Sequence, residues 1–135
     1  DEISVDKQYY VYGKDNKLVP ATTLKVGDKV QVRMVIKNNR DLDFVTVEDE
    51  RASCFEPVDH FSGYRYDDYL YYYLETKDMR TNVFFTSLPK GTHVITYDVF
   101  VSAAGEFSAG IASAQCQYAP QIAAHSAGTT IKAVK

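Results

Sequence analysis

Between Val30 and Ile36 the chain repeats with a period of two. Val30, Val32, Met34 and Ile36 fall on one side, and Gln31, Arg33 and Lys37 on the other. That period fits a half-buried strand and not a helix, because successive strand side chains point to opposite faces. Residues 93–101 repeat the pattern, with Ile95, Tyr97, Val99 and Val101 opposite Val94, Thr96 and Phe100. Apolar residues on both faces make this run read as a central strand. Residues 3–12, 44–47, 69–76, 83–85, 107–114 and 130–134 are further expected strands. Leu88-Pro89-Lys90-Gly91 and Ala104-Gly105 punctuate turns between them. No stretch of about 11 residues carries a helical stripe. The pattern predicts an all-β chain: one antiparallel, immunoglobulin-like β-sandwich of about seven strands. Val30, Val32, Met34, Ile36, Phe84, Tyr97 and Val99 are its expected core.

At 135 residues the chain is expected to be one domain spanning 1–135. Hydrophobic residues make up 45% and charged residues 24%, the balance of a globular chain. A formal charge of −3 argues against general nucleic-acid binding, and no apolar run approaches the ~20 residues that span a bilayer. Eleven Tyr and seven Phe beside no Trp suit pleated surfaces. The chain begins at Asp1 with neither initiator Met nor signal peptide, so it reads as a piece excised from a larger protein.

Two connections are long for a compact sandwich: residues 51–68, with Cys54, His60, Phe61 and Tyr64, and residues 117–128, with Tyr118, Pro120 and His125. His60, His93 and His125 lie singly, without metal-ligand spacing. Ser126 beside His125 is not a triad, which geometry defines. No phosphate-binding glycine loop, nucleophile elbow or HExxH motif is present. The acidic stretch Asp41, Asp43, Glu48, Asp49 and Glu50 reads as a solvated strand edge. No catalytic residue, metal site or cofactor is expected. Cys54 and Cys116 read equally as two buried thiols or as one disulfide closing a loop of about 60 residues, worth roughly 3–4 kcal/mol. The cluster Tyr64, Tyr66, Tyr69, Tyr71, Tyr72 and Tyr73 splits by parity into a core row and a half-exposed row. The half-exposed row would serve as packing, or as a stacking platform for sugar or a protein interface, with the absence of Trp against the sugar; Tyr64, Tyr66 and Tyr69 are the candidate interface aromatics.

Several segments, in order, carry a resemblance. They are Arg40-Asp41-Leu42-Asp43-Phe44-Val45, Cys54-Phe55-Glu56-Pro57-Val58-Asp59 and Asp78-Met79-Arg80-Thr81-Asn82-Val83-Phe84-Phe85. Leu88-Pro89-Lys90-Gly91-Thr92, Gln117-Tyr118-Ala119-Pro120-Gln121 and His125-Ser126-Ala127-Gly128 follow. The series resembles the terminal macroglobulin-like domain of bacterial alpha-2-macroglobulins, in the Bacteroides-type branch. The resemblance implies one domain of a much larger, membrane-tethered, extracytoplasmic protease trap, periplasmic or at the cell surface. In that family a protease cleaves a bait segment, the molecule changes shape, and a thioester, where present, captures the attacker. A thioester motif has Gln three residues after Cys. Here Pro57 follows Cys54 and Ala119 follows Cys116 at that offset, so neither can form it.

The implied role is non-catalytic: a cover and conformational latch for the thioester domain, with Gln117, Tyr118 and Pro120 in the covering loop. Its partners would be neighbouring domains of its own chain and, through the parent, proteases, with no nucleic acid and no membrane contact by the domain itself. The family's usual Met before the Tyr is replaced by Gln117. An extracytoplasmic placement permits a Cys54–Cys116 disulfide, which is the expectation here. The competing class is a surface binding or adhesion module using the Tyr64–Tyr73 region, with an enzyme a distant third.

Overall fold

The computed structural model describes residues 2–20, 23–59, 62–67 and 70–135. Its strands are β1 (Ile3–Tyr12), β2 (Leu18–Pro20), β3 (Thr23–Lys25), β4 (Lys29–Asn38), β5 (Leu42–Glu50), β6 (Phe55–Pro57) and β7 (Ser62–Asp67). Then follow β8 (Leu70–Thr76), β9 (Arg80–Leu88), β10 (Gly91–Val101), β11 (Gly105–Ser108), β12 (Ala112–Cys116), β13 (Ala119–His125) and β14 (Thr130–Val134). Among the described residues the only helical element is one 3-10 turn at Lys14–Asn16, and no helix is long and apolar enough to cross a membrane.

The strands form sheet I, in the order β2-β1-β4-β10-β6, and sheet II, in the order β13-β12-β5-β9-β8-β7. A small sheet III has the order β11-β14-β3, in which β14 and β3 run parallel. Sheet I works as one long backing. At one end Ile3, Met34, Ile36 and Ile95 pack against Val45, Val47, Val83 and Phe85 of sheet II. At the other end Val30, Val32, Val99 and Val101 pack against Leu24, Ile131 and Ala133 of sheet III. Each end is an apolar cluster, and its formation follows from the period-two rows.

The sandwich is therefore as the alternation requires, with several corrections. There are more strands than seven, a third sheet is present, and one strand pair is parallel. Residues 107–114 break into β11 and β12 around Gly110, whose φ is +73°. The connection 51–68 contains β6 and β7, and the connection 117–128 contains β13. Phe84 is 40% exposed; its neighbour Phe85 takes the core position in phase with Thr81 and Val83. Tyr97 faces the core as expected, and packs against both clusters. The strand β10 is central by pairing, since β4 and β6 flank it, yet Val94 and Phe100 face solvent.

The expected disulfide is not made. Cys54 and Cys116 are free, buried thiols in different clusters, Cys54 at the sheet III end and Cys116 at the sheet II end. Burial pushes both thiols above their ordinary range, so neither is activated as a nucleophile.

Candidate functional site

The site begins with an ordinary strand. Along β12, Ala112, Ala114 and Cys116 point inward, and the small side chains let the strand lie close on the core. Gln117 and Tyr118 then make a two-residue turn into β13, so the expected loop is the tip of a hairpin. Past the turn the pairing slips: Gln115 lies opposite Ala123, while Cys116 lies opposite Ala119. The surplus residues, Pro120 among them, form an irregularity on an edge strand, where a proline without an N–H costs no ladder bond. The Gln117 N–H donates to the Phe44 carbonyl at 2.8 Å, which ties the tip to β5.

Phe44 is the residue the sequence reading passed over. Its φ is +55°, a left-handed backbone conformation uncommon for any side chain and an outlier for a bulky one. Holding it there costs on the order of 1–3 kcal/mol. Around it the inward row changes phase: Val45, Val47 and Asp49 point in, and so does Leu42, three residues before Val45. The Phe44 ring stands edge-on to Tyr118, with centroids 5.2 Å apart and planes at 88°. The phase break between Leu42 and Val45 was the readable sign.

Tyr118 itself is 78% exposed. None of the described residues hydrogen-bonds its hydroxyl. Beside it lies a shallow groove of about 330 Å³ whose lining includes Leu42, Phe44, Ala119 and Ile122. Its rim is charged: Arg40 pairs with Glu2 at 2.8 Å, and Asp41 accepts the Lys90 N–H at 2.7 Å. The structure thus brings Gln117 and Tyr118 together at one tip, with exposed Pro120 just behind. Tyr64 and Tyr66 lie far along the same sheet, on its opposite edge strand β7. Tyr69, His60 and Phe61 fall outside the described residues.

The other candidates make no chemistry. His93 Nε2 donates to the Pro89 carbonyl, 2.6 Å away, and His125 Nδ1 to the Ser126 carbonyl at 3.2 Å. The Ser126 hydroxyl accepts the Ala112 N–H at 3.0 Å, so His125 and Ser126 are not a base and nucleophile pair. Among the described residues no three His, Cys, Asp or Glu side chains gather as metal ligands.

Asp49 is not the solvated residue its acidic neighbours suggested. It is fully buried and its Oδ1 lies 2.6 Å from Lys7 Nζ, itself 4% exposed. Lys7 also donates to the Glu50 and Ala109 carbonyls at 3.0 Å each, and the Tyr97 hydroxyl donates to Asp49 Oδ2. The Tyr9 hydroxyl donates to the same Ala109 carbonyl at 3.0 Å. This knot lies at the seam where sheet I passes from sheet II to sheet III, and where turning strands leave inward carbonyls that need donors. Burial pushes the Asp49 carboxyl above its ordinary range, against the opposing pull of Lys7, and raises the Tyr97 and Tyr9 phenols. It is a structural centre, in which the Lys7 ammonium and the Asp49 carboxylate are taken up by each other and by neighbouring carbonyls and a phenol.

A family model, the Bacterial Alpha-2-macroglobulin MG10 domain, matches residues 3–121. The chain belongs to that family. Solved structures agree on its fold. Salmonella alpha-2-macroglobulin, as a Y1175G mutant, superposes with a TM-score of 0.78 at 16% identity, covering 100% of this chain and 9% of that one. Trypsin-activated alpha-2-macroglobulin from Escherichia coli gives 0.79 at 12% identity, with 100% and 10% covered. The native Escherichia coli protein from domain MG7 to the C-terminus gives 0.78 at 14% identity, with 100% and 24% covered. At these identities the likeness shows the fold alone, and the MG10-like chain spans about a tenth of the two longer proteins. No curated protein matches it.

Proposed function

We propose that this MG10 domain is a non-catalytic cover and conformational latch within a larger bacterial alpha-2-macroglobulin, an extracytoplasmic, membrane-tethered protease trap. The observation that carries the reading is Tyr118: an aromatic ring held at a hairpin tip, braced by a strained Phe44, with most of its area facing solvent. A ring so placed can exclude water from a labile acyl group on a neighbouring domain, and its free hydroxyl can donate one hydrogen bond there. Pro120 stiffens the segment behind the tip, which lowers the entropy lost when it docks. Gln117 makes the cover less dry than an apolar neighbour would. The thioester itself, where the parent has one, belongs to another domain, because both cysteines here are buried and lack the motif's Gln.

The test is Tyr118→Ala in the whole parent protein. Spontaneous conversion without protease, or thioester hydrolysis read by loss of methylamine incorporation, should accelerate by about tenfold or more, the equivalent of ~1.4 kcal/mol of lost protection. Tyr118→Phe should retain most of the protection if the ring is what excludes water. An unchanged rate in a folded Tyr118→Ala variant contradicts the reading.

A further inference from the structure

The sheet face that bears Phe44 and Tyr118 continues as an aromatic surface to its other edge. Tyr64 and Tyr71 stack with centroids 5.2 Å apart and planes at 9°, and Tyr73 meets Tyr64 edge-on at 5.0 Å. Phe84 lies 6.2 Å from Tyr73. Together with Thr86 these side chains line an open groove of about 300 Å³, with Tyr64 65% and Tyr71 54% exposed.

The register arranges them in rows across the strands. One row runs Tyr64–Tyr73–Phe84–Thr46, each pair directly opposite in adjacent strands. The next starts at Tyr66–Tyr71 and reaches Thr86, which faces the position of Phe44 between the pairs Asp43–Ser87 and Val45–Phe85. Beyond Phe44 comes Tyr118. The third row changes character, with Glu75, Asn82 and Glu48, and an ion pair from Glu48 to Arg80 at 3.1 Å. The face is thus aromatic on the half beside the hairpin tip and charged on the other half.

We propose that this aromatic half is a contact surface for a folded neighbouring domain of the same polypeptide, continuous with the Tyr118 contact. The inference rests on the reading above, that the domain works against another part of its own chain. Size supports it. A stable interface takes about 800 Å² from each side, whereas one aromatic side chain supplies only ~150–250 Å². Tyr118 alone cannot seat a domain. Five strands at ~4.8 Å spacing extend the surface to roughly 20 Å across. The chemistry of the groove also selects the occupant. It offers ring faces and hydroxyls with no carboxylate, amide or cation among its lining residues, which suits an apolar protein surface with scattered carbonyl acceptors better than a hydroxyl-rich sugar.

Hydroxyl-radical footprinting of the uncleaved, monomeric parent protein tests this residue by residue. Tyr64 and Tyr71 should be modified at least threefold more slowly than their exposure in this domain implies. Labelling of both at the full rate overturns the proposal and leaves the patch open to an external ligand. Tyr118 is read separately in the same experiment. Protection of Tyr118 with free Tyr64 and Tyr71 keeps the latch and removes the extended surface. Protection of Tyr64 and Tyr71 with free Tyr118 supports the surface and removes the latch.

Discussion

Asp49→Ala should destabilise the 135-residue chain by about 3–5 kcal/mol, the usual cost of leaving one member of a buried ion pair without its partner. The variant strands the Lys7 ammonium at 4% exposure and takes the acceptor from the Tyr97 hydroxyl. Replacing the set together, as Lys7→Met, Asp49→Leu and Tyr97→Phe, should recover part of that loss, because apolar groups avoid the desolvation cost, while the Glu50 and Ala109 carbonyls still lose the Lys7 donor. The sign of the pH dependence follows from the same site. The folded carboxyl titrates above its unfolded value, so the native state holds the proton more tightly in that window. The stability it contributes is present below the ordinary carboxylate pKa and is lost as pH rises through the raised value. The triple variant should lose that part of the slope. Urea titrations from pH 4 to 8 on the three proteins measure both effects. A loss under about 1 kcal/mol for Asp49→Ala would show that the knot does not hold the seam.

Gly110→Ala should cost about as much, again roughly 3–5 kcal/mol, among the largest effects seen for a single methyl. A Cβ at that position would lie 2.1 Å from the Glu50 carbonyl oxygen and 2.9 Å from its carbon, both backbone atoms that cannot step aside cheaply. The φ of +73° adds left-handed strain for any L side chain. The shift would also move Ala109, whose carbonyl accepts from both Lys7 and Tyr9. Gly128→Ala is the control. Nothing lies within 4 Å of its Cβ position, so its effect should stay within about 0.5 kcal/mol. Equal denaturation midpoints for the two variants would refute the close approach.

What the sequence showed, and what it hid, divides along the sheet edges. The strands it revealed are mostly interior: β1, β4, β5, β9 and β10 carry apolar rows because they are paired on both sides and packed on one face. The five that it concealed, β2, β3, β6, β7 and β13, all sit at sheet edges. Edge strands are short, polar and tolerant of proline, as Pro20, Pro57 and Pro120 show, so they carry no period-two signature. Lys7 and Asp49 were legible in part. Lys7 is in phase with Ile3, Val5 and Tyr9, and Asp49 with Val45 and Val47, so each is a charge in an inward row. That the two meet depends on how the sheets stack, which parity alone does not tell. Cys54 and Cys116 misled for the same reason: nearness of each to a connection said nothing of which cluster received it. Tyr118 stood out only through the family resemblance, since one exposed tyrosine is unremarkable by composition.

The measurement that bears most directly on the central claim is photo-crosslinking from position 118. A benzophenone side chain replaces Tyr118 in the whole parent protein, which is irradiated before and after protease cleavage, and the crosslinked peptides are sequenced by mass spectrometry. The account predicts an intrachain crosslink to residues outside 1–135 in the uncleaved molecule, diminished after cleavage. Crosslinks confined to residues 1–135, or none in either state, would contradict it.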